Sequence, residues 1–406
     1  MPSIKSLYLF FLLPFLYACD GSNEFPTDIP ETYTFERNSL STVNFSGQTA
    51  RIRMAEELSD ALLDNNSELD NLIAMYRNRD ADGNDANPFM DDDLNASVKS
   101  LRNKAAASYD YFFTNNVESI QIKEDLQSFI ENQHDEVFPS WNRIASAGQA
   151  GQILDGSAVR YINAQGLEFN QLFDKSLLGA LMLDQMLNNY LSNAVLDAGD
   201  NLANNAASIL EADKNYTTME HKWDEAYGYV FGNTGNYEDP LWSLGSDDSF
   251  LNKYLARVDN DPDFAGIAQT VYEAFITGRY AITQNNLDHR NMQAEIIKEK
   301  MSEVIGVRAV FYLQQAKHAL ENNPNAMGTV FHELSEAYGF IYSLRFTRKP
   351  NSDAPYFSKA EVDSMLADLL DDGIHGLWDV RSTTLQDLSD TITDRFEFTL
   401  EEAAEL

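Results

Sequence analysis

Two stretches of this chain carry imidazole and carboxylate groups at one spacing. His221-Lys222-Trp223-Asp224-Glu225-Ala226-Tyr227-Gly228-Tyr229 recurs 111 residues later as His332-Glu333-Leu334-Ser335-Glu336-Ala337-Tyr338-Gly339-Phe340, with five of nine positions identical and a sixth aromatic in both. On a helix, residues four apart share a face, so His221 and Glu225, like His332 and Glu336, present a nitrogen and an oxygen donor side by side. If the two stripes face each other, two imidazoles and two carboxylates form a donor set suited to a first-row divalent metal or iron. The same groups suit a structural role, each His bonded to its own Glu within a buried polar interface. Both readings stand at this point. Tyr227 and Tyr338 are neighbouring packing or hydrogen-bonding groups. An interior helical Gly costs about 1 kcal/mol relative to Ala, so Gly228 and Gly339 mark places where another backbone or a ligand comes close.

Other constellations are weaker. His332-Glu333-Leu334-Ser335-Glu336 reads H-E-x-x-E, one substitution from the zinc-protease helix in which two His ligands share a face and the Glu activates water. The second His is missing, and the first copy has Lys222 where that Glu would stand, which argues against a metal-dependent peptidase. The run from Asp80 to Asp85, continued by Asp91-Asp92-Asp93, places Gly83 fourth and not sixth, so it fails as a calcium loop and is read as a solvated acidic loop. His134, His289, His318 and His375 stand alone and are read as surface or capping residues.

The elements that hold the repeat must be helices. Thr217 and Glu220 form a capping box ahead of the first motif, and Asn325, after Pro324, is the expected cap of the second. Apolar recurrence predicts helices over 50–63, 69–76, 96–113, 122–138, 167–196, 218–231, 250–258, 264–285, 292–320, 327–346 and 359–371. Strand patterning is confined to one or two short segments between Thr32 and Phe45. Turn chemistry at Gly148, Gly151, Gly232-Asn233, Asp239-Pro240, Asp261-Pro262, Asn323-Pro324 and Lys349-Pro350 stops the helices. The fold class is therefore all-α. The repeat implies two related helical-bundle subdomains, 32–235, beginning with a short extended segment, and 236–406. His332 lies roughly 160° from the apolar stripe Val330/Leu334/Ala337/Ile341, so a motif helix that buries both faces must be sandwiched between two layers.

The chain has 406 residues with 29 Lys+Arg against 64 Asp+Glu, a net charge of −35. Such an acidic chain repels phosphate backbones, which excludes nucleic acid as a partner. Cys19 is the single cysteine, which excludes an internal disulfide and a cysteine-cluster metal site. Residues 1–18 read as a secretory signal: Lys5 precedes an apolar run too short to span a bilayer. Leu16-Tyr17-Ala18-Cys19 is read as a bacterial lipoprotein box, with Cys19 lipidated at the head of the mature chain and 19–31 as a tether. The expected location is the cell envelope, lipid-anchored at the outer membrane, on its periplasmic or surface face.

The two motif stretches, with Tyr33-Thr34-Phe35 and Ser46-Gly47-Gln48-Thr49-Ala50-Arg51, resemble an uncharacterised family of bacterial lipoproteins, the domain of unknown function family 4856, over nearly the whole mature chain. More distantly the chain is similar to imelysins, helical envelope proteins of two bundle halves associated with iron uptake. Their Gly-x-His-x-x-Glu motif is assigned to metal binding and once to peptidase activity. Here His and Glu are four apart, and Met219 and Val330 stand where that motif has Gly. The resemblance thus implies fold, tether and an iron-related setting more than a ligand set. The expected function is a non-enzymatic binding component of iron or other metal acquisition. Its metal would be held by His221, Glu225, His332 and Glu336, and its partners would be an outer-membrane transporter or other envelope iron-uptake proteins. The alternative is a lipoprotein that captures glycan or peptide without a metal.

Overall fold

A computed structural model describes residues 28–405, apart from 81 and 324; the signal segment, Cys19 and the first part of the tether lie outside the described residues. The fold is all-α. Among the described residues, eleven helices of nine residues or more build it: α1 (Ser46–Ala61), α2 (Leu69–Arg77), α3 (Asn116–Asn132), α4 (Phe169–Leu177), α5 (Thr218–Phe231), α6 (Leu251–Asp259), α7 (Ile267–Thr283), α8 (Leu287–Asn322), α9 (Met327–Ser343), α10 (Lys359–Leu370) and α11 (Ser382–Thr393). Shorter helical turns and two small antiparallel hairpins, β1–β2 (Glu36–Arg37, Leu40–Ser41) and β3–β4 (Gly151–Asp155, Ala158–Ile162), fill the connections. None of these helices is long and apolar enough to cross a membrane.

α8, at 36 residues, is the axis on which α6, α7, α9 and α11 pack. The motif helices are α5 and α9. α5 sits between α1 and α7, and α9 sits between α8 and α4, with β3–β4 and α10 on its outer side. Both motif helices are thus covered on two faces, as a stripe of polar groups opposite an apolar stripe requires. The segment Phe169–Tyr190 serves both: its first half lies along α9 and its last turns lie against α5. A continuous apolar core runs from Tyr33 to Ala403 through all these layers.

Several expected boundaries move, each for a local reason. The predicted helix 96–113 is two single turns, Leu101–Lys104 and Tyr109–Phe112. Between them Ala106 takes a φ of +44°, and the amides of Ala107 and Ser108 donate to the Asp184 carboxylate at 3.2 and 3.0 Å instead of continuing a helix. The predicted helix 167–196 widens after Leu177 into π-helical turns, Leu178–Leu183 and Met186–Tyr190. There Gly179 makes room for Ser343 of α9, side chain first. The region read as turns at Gly148 and Gly151 leads into the β3–β4 hairpin, closed at Gly156 with φ +56°. Gly156-Ser157, between the paired Asp155 and Ala158, is a two-residue hairpin turn that periodicity for helices passes over. The early strands lie at 36–37 and 40–41, inside the segment between Thr32 and Phe45 that the strand patterning marks, and turn at Asn38 and Ser39, both of positive φ. Thr217 and Glu220 form the capping box of α5, but α9 starts after Ala326 without a side-chain cap, so Asn325 does not serve. α11 and the last helical turns, Leu400–Ala404, were not expected; their polar faces dilute the apolar recurrence.

The motif glycines are where the layers touch. A Cβ on Gly228 would overlap the Phe45 side chain and crowd Gln48 of α1, and one on Gly339 would overlap Lys175 of α4. Overpacking costs about 1–3 kcal/mol, more than the roughly 1 kcal/mol gained when Ala replaces Gly in a helix. Gly228→Ala and Gly339→Ala should therefore lower the urea midpoint, whereas Gly235→Ala, with nothing near its Cβ position, should leave it unchanged.

Candidate functional site

Each motif helix docks onto the start of another helix through the same pair of positions. In the first copy, Asn44, just ahead of α1, donates its amide to the Asp224 carboxylate at 3.3 Å, and its carbonyl faces His221 Nδ1 at 3.0 Å. In the second copy, Glu168, just ahead of α4, donates its amide to Ser335 Oγ at 3.0 Å, and its carboxylate faces His332 Nδ1 at 3.2 Å. Asp224 and Ser335 are equivalent under the repeat, as are the two His. An imidazole nitrogen facing an acceptor must carry the proton, so each His donates through Nδ1. Nε2 is turned to the carboxylate one helical turn on, 3.9 Å from Glu225 or Glu336. The His and Glu of each copy therefore do share a face, as their spacing predicts.

Around this common frame the copies diverge. Glu225 is held by Lys222 at 2.6 Å and by Gln48 of α1 at 3.2 Å. The Tyr216 ring stacks on His221 at 4.6 Å. Behind them Arg279, fully buried, bonds Asp224 at 2.9 Å, Glu220 at 3.2 Å and Thr42 at 3.0 Å, while the Tyr33 hydroxyl donates to Asp224 at 2.8 Å. Burial lifts the Asp224 carboxyl to about 6 against the pull of Arg279 and Tyr33. Tyr227 stacks on Tyr33 with centroids 3.7 Å apart and donates to the Tyr237 carbonyl at 2.5 Å. The first copy thus closes on itself.

In the second copy, Glu336 is 5% exposed. Lys175 Nζ from α4 lies 3.6 Å from its Oε1, Arg257 of α6 lies 3.9 Å from its Oε2, and the Tyr254 hydroxyl reaches Oε1 at 3.5 Å. Burial works against ionisation, yet the charges of Lys175, His332 and Arg257 hold the Glu336 carboxyl at about 2. Tyr338 packs edge-on against Phe129. Glu333, one residue past His332, has the opposite balance: burial prevails over His332 and Arg308 and lifts its carboxyl to about 7.

Sequence reasoning brought the right pairs onto each helix but joined them wrongly across the molecule. Among the described residues no group of three or more His, Cys, Asp or Glu side chains is placed to hold a metal ion. His221 and Glu225 have their partners in Asn44, Gln48 and Lys222, whereas His332 and Glu336 have theirs in Glu168, Lys175, Arg257 and Tyr254. The four-donor site expected from His221, Glu225, His332 and Glu336 is therefore not assembled. The reason is that the stripes face helix starts on α1 and α4, not each other. The solitary histidines are local: His134 pairs with Asp135, His318 with Asn322 and His375 with Asp379. In the acidic loop, Asp80 accepts from the Asn84 amide at 2.7 Å, an ordinary turn bond.

What the sequence did not single out is the opening beside the second motif. A cavity of about 410 Å³ is bounded by Arg257, Val258, Asp261, Val307, Arg308, Phe311, Tyr312 and the α9 residues His332, Glu333 and Glu336. Three buried polar atoms on its wall have no hydrogen-bond partner: Arg308 Nε, Glu333 Oε2 and Glu336 Oε2. They are three of fifteen such atoms among the described residues, and these three gather on one opening. A groove of about 480 Å³ between α10 and α11 carries more carboxylates, among them Asp368, Asp371 and Asp387. Among the described residues none of its lining side chains holds a buried polar atom without a partner. Arg308 and Arg257 carry no signal in sequence, whereas His332 and Glu336 were marked by the repeat and Glu333 by the H-E-x-x-E pattern.

The chain is an all-α bundle in which a repeated His/Glu helix docks on two helix starts. A family model described as Domain of unknown function (DUF4856) matches residues 30–399, and the chain belongs to that family. Comparison with curated proteins and with solved structures finds no match.

The two imidazoles should titrate on opposite sides of the ordinary value. Burial alone would depress both, but the hydrogen bond and charge of Glu168, with the charge of Glu336, raise His332. At His221 burial prevails over Glu225, and Lys222 adds to it, so its pKa is lowered. By linkage, the stabilisation from His332 is complete below about 6.5 and is lost as pH rises through its folded value. The contribution of His221 is complete above about 6.5 and is lost as pH falls towards its folded value. NMR titration, with resonances assigned by His221→Gln and His332→Gln, should place one imidazole above and one below an unfolded control. Separately, Glu336→Gln strands Lys175 in the core and should cost about 3–5 kcal/mol. The pair Lys175→Met with Glu336→Leu should recover most of that loss in urea unfolding.

Proposed function

We propose that this protein is a non-enzymatic capture component of a bacterial cell envelope. It is tethered by lipid on Cys19 and holds a small polar ligand in the cavity beside α9. The observation that carries this reading is the set of buried polar atoms of Arg308, Glu333 and Glu336, without hydrogen-bond partners among the described residues, around one opening of about 410 Å³. Openings of roughly 300–1,000 Å³ with a few convergent polar groups are the usual form of small-molecule sites. Of the two binding classes open at the level of sequence, the geometry favours capture of an organic ligand over a shared metal, because the four repeated donors stand in two separate environments. The lipoprotein box, the acidic surface and the imelysin resemblance support an envelope setting, and an outer-membrane transporter fits as the recipient of the captured ligand.

Two measurements test this reading. Cys19→Ser should move the protein from the membrane fraction to the soluble fraction of the cell; retention in the membrane would end the tether. Thermal unfolding of residues 20–406 against amino acids, dipeptides, oligosaccharides and divalent cations should find a class that stabilises the protein. The gain should be about 2.7 kcal/mol at a hundredfold excess over Kd, and it should vanish in Val258→Phe, which fills the cavity. If no class raises the unfolding temperature, the capture reading falls.

A further inference from the structure

The cavity beside α9 carries both signs of charge: Arg257 lies 3.9 Å from Glu336, while among the described residues Arg308 and Glu333 make no ion pair within it. Arg308 enters from α8 and is 4% exposed. Its guanidinium lies 3.9 Å from the Phe311 ring centroid and 4.5 Å from that of Tyr312, and its Nε has no hydrogen-bond partner. Arg257 stands on the same wall, bonded to the Tyr312 hydroxyl at 2.5 Å. From α9, Glu333 and Glu336 each bring an Oε2 that accepts no hydrogen bond. Val258, Val307 and Phe311 supply an apolar wall. A buried guanidinium flanked by aromatic rings is a preorganised carboxylate or phosphate receptor. A buried carboxylate oxygen with an open lone pair is the complementary receptor for an ammonium.

These groups select by exclusion. A simple anion would pair with Arg308 but meet Glu333 and Glu336, with Asp261 and Glu405 also on the wall. A simple cation would pair with those carboxylates but meet Arg308 and Arg257. A neutral sugar would leave charges of both signs buried and unpaired, which is costly in a low-dielectric site. A dipolar molecule with an apolar body answers both signs and the wall.

We propose that this cavity binds a small zwitterion, an α-amino acid or very short peptide, with its carboxylate on Arg308 and Arg257 and its ammonium on Glu333 and Glu336. The inference rests on the capture reading and adds the ligand's chemical class.

The test needs only the soluble chain, residues 20–406, and calorimetric titration with leucine, phenylalanine and their dipeptides. Each should be compared with its N-acetylated and its C-amidated form. At least one free zwitterion should bind, and capping either end should weaken it tenfold or more. Arg308→Gln should abolish the penalty of C-amidation while that of N-acetylation persists, and Glu333→Gln should do the reverse. Circular dichroism establishes that each variant is folded, and the capped ligands on the unaltered chain give an answer without any variant. Equal affinity of capped and free forms would overturn the proposal. Binding of oligosaccharides, simple carboxylates or cations with no zwitterion binding would overturn the ligand class while leaving capture intact. Absence of binding by every probe would remove both.

Discussion

The close approach of two motif helices to the starts of two other helices governs this structure. Gly228 brings α5 against Phe45 and Gln48, and Gly339 brings α9 against Lys175. At those contacts there is no room for a side chain, so the backbones come near enough for His221 to reach Asn44 and His332 to reach Glu168. The same approach takes the neighbouring carboxylates out of water, and a buried carboxylate must be paired or neutralised. Lys222 and Gln48 answer Glu225; Lys175, Arg257 and Tyr254 answer Glu336. The repeated tyrosines, glycines and His/Glu pairs thus have a shared structural cause.

That shared frame explains why the two copies can differ in consequence. In the first, Asp224 and Glu220 meet Arg279 and Tyr33, and the buried charges are absorbed by the protein itself. In the second, the equivalent of Asp224 is Ser335, and Lys222 is replaced by Glu333. Among the described residues no cation corresponding to Arg279 bonds Ser335; that hydroxyl accepts from the Glu168 amide. Besides Glu168 and Lys175 at the dock, this half places Arg257 and Arg308 with Glu333 and Glu336 around an opening beside α9. One copy is an internal clamp, and the other combines a clamp with a receptive wall. A mainly acidic surface outside contrasts with the buried guanidiniums inside, whose low-dielectric surroundings strengthen any complementary contact.

Much of this was legible in residue order. The 111-residue offset, the capping box at Thr217 and Glu220, and the turn chemistry were sufficient for an all-α fold and for the limits of α5. His and Glu four apart on a helix share a face wherever that helix goes, so the pairs His221/Glu225 and His332/Glu336 follow from local geometry alone. The glycines marked contact because helix propensity disfavours them unless something lies close. By contrast, the turns at 101–112 depend on Asp184, a residue far along the chain that takes two amides out of a helix.

Which surfaces the repeated faces would meet was a tertiary matter. Lys175 and Glu168 carry no mark of their roles in sequence, since a charged residue on a helix is ordinarily solvated; only packing makes them partners of the motif. The same holds for Arg308, whose buried, unpartnered Nε arises because α8 carries it between α6 and α9. Sequence periodicity determines where side chains stand on their own helix, because that depends on bonds a few residues apart. The meeting of helices depends on the summed burial of faces from distant segments, and so the site, unlike the motif, existed only once the chain had folded.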